Sequence, residues 1–304
     1  MKYFILAFIL GISGDIDLFI LAQIVPAIIA SIIAGGAGET LISYRKKTPD
    51  LHQNITSLFI TVVILSTALL SLIYLFFSPL FISFFELNSE QVNLFMSMTV
   101  LIVLSKIPGA IVSSLQYLIF IKGKYNYFIV ASLASELAGL LIIMVFIKSY
   151  GIITFPAAAL ATALINALFF ILVIDLNLKV IFKREVWRSH KQDLITLIKQ
   201  TSTLGLQTFI TYLSQFWERI ISFKYMTSGY LSALNYSKKF TEYPKMIMLS
   251  SLLTTSYVEQ IKKRDDRDKY ISYSNSIQKI ISEISLVFQI AGILFGPFLL
   301  IYIF

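Results

Sequence analysis

The chain has 304 residues, of which 57% are apolar and only 14% charged, with a mean hydropathy of +0.80 and a formal net charge of +8. A soluble domain of this size carries roughly a quarter charged residues, so this composition excludes a water-soluble globular protein. The absence of cysteine excludes disulfides and thiolate metal sites.

Read in chain order, the apolar segments are 2–13, 15–44, 55–85, 91–121, 126–147, 152–182, 194–226, 230–261 and 272–304. Most exceed the roughly 20 residues that a helix needs to cross a bilayer. None shows the ten-residue alternation of an outer-membrane barrel strand. The predicted fold is all-α, a polytopic transmembrane bundle. The first segment is too short to cross alone and reads as the tail of a longer helix. No cleavage site follows it, so it is not read as a signal peptide.

The basic residues sit between the apolar segments, and nothing resembles a nucleic-acid recognition module. They alternate by side. Arg45, Lys46 and Lys47, then Lys122 and Lys124, then Lys179, Lys183, Arg184, Arg188 and Lys191, then Lys262, Lys263, Arg264, Arg267 and Lys269 share one side. Lys148 and Lys224 and the acidic turn from Glu86 to Glu90 share the other. Positive residues stay inside, so the first side is cytoplasmic. Pro26, Pro108, Pro156 and Pro244 lie within apolar segments, and a glycine-rich stretch runs from Ala34 to Glu39. Such breaks free carbonyls that a transporter uses at a cavity, although proline is also common in membrane helices for packing alone.

Ionisable residues inside the apolar segments are the strongest functional signal, because a charge in a bilayer is costly and faces a bundle interior or a water-filled path. Glu218 and Arg219 lie about eight residues before the turn at Thr227–Gly229, and Lys238 and Lys239 about eight after it. Both sets are expected roughly 12 Å in from the same membrane face. Asn235, Lys238, Glu242 and Lys245 follow helical steps of three or four and share one face. Their excess positive charge suits an anionic head group such as a pyrophosphate, and the same spacing also fits an internal Lys238–Glu242 pair. Lys106 and Glu136 fall near mid-membrane and are expected to pair. Asp17 lies near the outer end of its segment. His52 and His190 lie in basic loops. Walker A, H-E-x-x-H, G-x-S-x-G and D-x-D patterns are absent, so no enzyme is predicted.

The stretch LGISGDIDLFILAQIVPAIIASIIAGGAGETLISYRKK resembles the second helix of the MviN/MurJ family, the lipid II flippases of the MOP flippase and exporter superfamily. Asp17, Phe19, Pro26, Gly36 and Ala37 carry the likeness. SGYLSALNYSKKFTEYP is similar to a second family motif through Gly229, Ser232, Ala233, Leu234, Tyr236 and Pro244, and Glu218–Arg219 stands at the family's acidic–arginine pair. Ala30 stands where these flippases tend to carry a cavity arginine, and Lys239 replaces an arginine.

The resemblance implies two helical lobes: a first lobe at 1–182, a cytoplasmic linker at 183–193, and half of a second lobe at 194–304. A second half or a partner would supply the missing helices. It implies a multi-pass protein of the bacterial cytoplasmic membrane that flips a polyprenyl-pyrophosphate-linked glycan by alternating access. The anionic glycan lipid would bind at Lys238, Lys239, Arg219, Asn235 and Lys245. Asp17, Pro26, Glu218 and Glu242 would gate or couple the movement. No cofactor is implied beyond a coupling monovalent cation or proton. A drug or solute exporter of the same superfamily and an inactive membrane scaffold are the alternatives.

Overall fold

The computed structural model describes residues 9–47, 53–174, 179, 182–239, 256, 259–260, 263 and 266–303. Among them there is no strand. The chain divides into two compact units, Gly14–Ser228 and Met1–Ser13 with Gly229–Phe304. The larger unit contains α1 (Gly14–Ala34), α2 (Ala37–Lys47), α3 (Gln53–Ser83), α4 (Ser89–Ile121), α5 (Tyr125–Tyr150), α6 (Thr154–Val173), the short α7 (Arg184–Ser189) and α8 (Lys191–Tyr225).

Among the described residues, four stretches are long and apolar enough to cross a membrane: Gly14–Tyr44, Asn54–Ser83, Ser89–Phe120 and Tyr125–Val173. They cover the second to sixth apolar segments of the sequence, because the last holds both α5 and α6. The seventh segment forms α8, about 52 Å long at 1.5 Å per residue. It carries Lys199, Glu218, Arg219 and Lys224 among many hydroxyls and amides, and so is more polar than the others. Most of the eighth lies outside the described residues.

The surface of α3 is inverted relative to a soluble helix. Leu65, Leu69, Leu72, Phe76, Phe77 and Leu80 are exposed, while Thr67, Ser71, Tyr74 and Ser78 are buried. Successive steps of four, three and four put these hydroxyl residues on one face. Apolar outside and polar inside is the arrangement that lipid, rather than water, rewards.

Helix ends follow from local chemistry. Asn88 opens α4 with a capping box: its Oδ1 accepts from Gln91 N at 2.8 Å, and its own N–H donates to Gln91 Oε1 at 3.1 Å. Gly123, at φ +67°, turns the chain into α5. Gly151 turns it into a single 3-10 turn, Gly151–Ile153, before α6. Helices α5 and α6 then form an antiparallel hairpin, since Lys124 Nζ donates to Val173 O at 3.3 Å and Phe128 stacks near Phe170 at 5.9 Å. On α5 the buried residues are Ala131, Ser135, Gly139, Ile143 and Ile147, one ridge with a constant step of four.

Helix α1 is central. It packs against α3, α4 and α8, and every residue from Ile16 to Ala22 is buried. A cluster including Leu41, Leu58, Phe59, Leu115, Phe170 and Leu197 ties α2, α3, α4, α6 and α8 together near the basic loops. In lipid such residues gain close packing more than a hydrophobic transfer energy.

In the smaller unit, Tyr236 Oη donates to Gly11 O at 3.1 Å, fastening residues 230–239, a helix we call α9, to the chain before α1. Gly229 is at φ +90° and a Cβ there would lie 2.5 Å from Ile12 Cγ2, so a glycine is required on both counts. Helix α10 (Arg267–Ile303) begins at Asp266. Its carboxylate accepts from Lys269 N at 3.2 Å and pairs with Lys269 Nζ at 2.8 Å, which holds its carboxyl below the usual range.

The chain lacks cysteine, so single introduced thiols report topology directly. Ser89→Cys and Thr227→Cys should react with an impermeant maleimide in intact cells, and Ser189→Cys only after permeabilisation. Labelling of Ser189→Cys in intact cells would overturn the orientation drawn from the basic residues.

Candidate functional site

The α1–α2 rod and α8 run antiparallel in contact along their whole length. Near one end a Cβ on Gly14 would lie 2.8 Å from Ser228 Oγ. At mid-length a Cβ on Gly205 would lie 2.2 Å from Ile32 O, and one on Gly36 would lie 2.5 Å from Leu204 Cβ. At the far end the Tyr44 hydroxyl donates to the Asp193 carboxylate, which also faces His190 Nδ1 at 3.5 Å. Small residues let two membrane helices approach until their backbones touch.

This register fixes which candidate residues meet. Between the Gly14–Ser228 and Ile32–Gly205 contacts, Glu218 and Arg219 fall at about the level of Ala22 and Leu21. They therefore lie between Asp17 and Pro26 on α1, within about two turns of each. Asp17 is only 3% exposed, whereas Glu218 and Arg219 are half-buried, and all three are engaged in interactions within the structure. Lys224, one turn further along α8, donates to Phe84 O at 3.3 Å and sits 3.8 Å from the centre of the Phe84 ring, which anchors the end of α8 to the end of α3.

Pro26 is buried and α1 continues through it as helix. The rod breaks instead at Gly35–Gly36, where Gly35 N donates to Ser31 O at 3.1 Å and Thr40 N to Gly36 O at 3.0 Å. Proline at mid-helix costs one hydrogen bond, which the packed neighbours of α1 can sustain, whereas two successive glycines remove the side chains that would otherwise hold the helix.

In the smaller unit, Asn235 is 7% exposed and Lys238 and Lys239 are half-buried, both lysines engaged. Glu242, Pro244 and Lys245 lie outside the described residues.

The expected Lys106–Glu136 pair does not form. Among the described residues Lys106 has no ion-pair or hydrogen-bond partner, and Glu136 is exposed on α5. The reason is the chain path: α6 packs along both α4 and α5, so those two helices meet mainly near their connecting turn. The buried hydroxyl face of α3 escaped the sequence reading, although its signal was present as hydroxyl residues at helical spacing inside an otherwise apolar run.

No protein-family model, curated protein or solved structure matches the chain.

Proposed function

We propose that the chain is a membrane transporter that moves a polyprenyl-pyrophosphate-linked glycan across the bilayer by alternating access. The observation that carries this reading is the gathering of Asp17, Glu218 and Arg219 at neighbouring levels of two packed helices, one of them the central α1. Ionisable groups held inside a membrane bundle are rare and mark a path or a moving element. Support for an anionic cargo comes from the excess of basic residues on α9, where Lys238 and Lys239 are half-buried. Cationic side chains hold the pyrophosphate while the lipid tail stays in the bilayer, and rocking of helical elements exposes the head group to the other side. Asp17 and Glu218 gate or couple that movement, with a monovalent cation or proton as the driving ion.

The test is transport of a fluorescent polyprenyl-pyrophosphate glycan in proteoliposomes, with binding measured in parallel. Lys238→Gln and Lys239→Gln should each weaken binding about tenfold, the equivalent of one charge-assisted hydrogen bond. Lys239→Arg should be tolerated, since it keeps the charge and adds a planar donor fork. Asp17→Asn should slow transport with binding intact. Wild-type binding by both Lys→Gln variants would refute the assignment of the head-group site, and transport of small cationic dyes in place of the lipid would identify an exporter.

A further inference from the structure

The seam between α3 and α4 is polar, buried and uncompensated. Helices α3 and α4 are antiparallel neighbours: Ser78 Oγ reaches Met96 Sδ at 3.3 Å, Phe81 and Phe95 rings lie 6.2 Å apart, and Tyr74 packs with Val103 and with Ile29 of α1. One turn onward in the same direction, Ser71 on α3 and Lys106 on α4 come to the same level. Thr67 and Ser78 satisfy their hydroxyls on carbonyls of their own helix, at Val63 O and Leu75 O. Ser71, Tyr74 and Thr99 do not. Their hydroxyl oxygens are buried and meet no hydrogen-bond partner of full geometry among the described residues, the Tyr74 and Thr99 hydroxyls being near enough to interact with each other. Relative exposures of 1%, 8% and 0% keep these three residues from bulk water, while Lys106 is half-buried.

Lys106 belongs to the same seam. It lies one turn from Val103 and two from Thr99 on α4, and a helical side chain leans towards the N-terminus of its helix, here towards Thr99. Among the described residues no carboxylate answers it. Helices α3 and α6 carry no charged residue, and on α4 the only other one is Glu90 in the first turn. On the α1–α2 rod, Asp17 and Glu39 are about 18 and about 15 Å along from Ile29. A lone cation at the middle of a membrane helix is costly unless a counter-charge reaches it.

We propose that this seam binds one small monovalent inorganic anion of halide size, with Lys106 as its counter-charge and the hydroxyls of Ser71, Tyr74 and Thr99 as donors. One anion neutralises the cation and accepts from hydroxyls that are unsatisfied among the described residues. The site is distinct from the candidate head-group residues on α9, and it does not depend on what the protein transports.

The experiment follows thermal unfolding of the full-length protein in detergent, in sodium chloride against sodium gluconate at equal ionic strength. The midpoint should rise with chloride and saturate, since a ligand that binds only the folded state stabilises it. Lys106→Met should abolish the rise while matching or exceeding the wild type in gluconate, because it removes the stranded charge. Thr99→Val, which keeps the shape and removes one donor, should weaken the apparent chloride affinity about tenfold and serves if Lys106→Met does not fold. Equal midpoints in the two salts, or a chloride effect that survives both variants, would overturn the proposal. Stabilisation by added phosphatidylglycerol but not by chloride would overturn it too, by placing a lipid phosphate at the seam.

Discussion

Gly205→Ala should be among the most damaging single-methyl changes in the protein. The added carbon would stand 2.2 Å from the carbonyl oxygen of Ile32 and 2.9 Å from its carbon, both backbone atoms that no rotamer change can move aside. Helix α8 would have to retreat from α1 along its length, so the cost reaches the upper part of the range for overpacking, about 3 kcal/mol. That outweighs the gain of up to about 1 kcal/mol that alanine ordinarily brings to a helix interior. Gly109→Ala in α4 is the matched control. Its Cβ would meet nothing within 4 Å, and that variant should be neutral or more stable. Thermal unfolding of the two variants side by side decides the matter, and an unperturbed Gly205→Ala protein would mean that α1 and α8 do not touch there.

Glu218→Gln should cost about 1–3 kcal/mol, the range for leaving a buried partner unsatisfied, because Glu218 is half-buried and engaged within the structure. Removing one partner strands the other charge. A second substitution that removes the stranded partner should therefore recover much of the loss. Double-mutant cycles of Glu218→Gln against Arg219→Gln, Lys238→Gln and Lys239→Gln locate that partner. Coupling below about 0.5 kcal/mol in all three cycles would mean that Glu218 pairs with none of these cations.

The membrane-crossing helices were legible in the sequence because lipid imposes long uninterrupted apolar runs. The segments 55–85, 91–121 and 126–147 became Gln53–Ser83, Ser89–Ile121 and Tyr125–Tyr150 with ends shifted by a few residues at most. The break of the second segment was less legible. Pro26 carries the stronger local signal, yet the surroundings of α1 keep it helical there, and the AGGAGE stretch yields instead. Which helices pack together could not be read at all from periodicity. Gly205 sits in a polar, unremarkable stretch, and only its meeting with Ile32 gives it meaning. The candidate site divides in the same way. Asp17 and Glu218–Arg219 stood out as charges in apolar surroundings, while the hydroxyls of Ser71, Tyr74 and Thr99 did not, because a hydroxyl is cheap to place in a membrane helix until it is left without a partner.

The ridge on α5 has a practical consequence. A helix that touches its protein through one line of five small or β-branched residues has most of its circumference, including Leu133, Leu137, Leu141 and Met144, solvated by acyl chains. Its cohesion therefore depends on what fills that space at least as much as on α6. Short-chain detergents, which pack loosely around such a surface, should peel α5 away from α6 first, and the length of the surrounding hydrocarbon becomes a determinant of the protein's integrity in its own right.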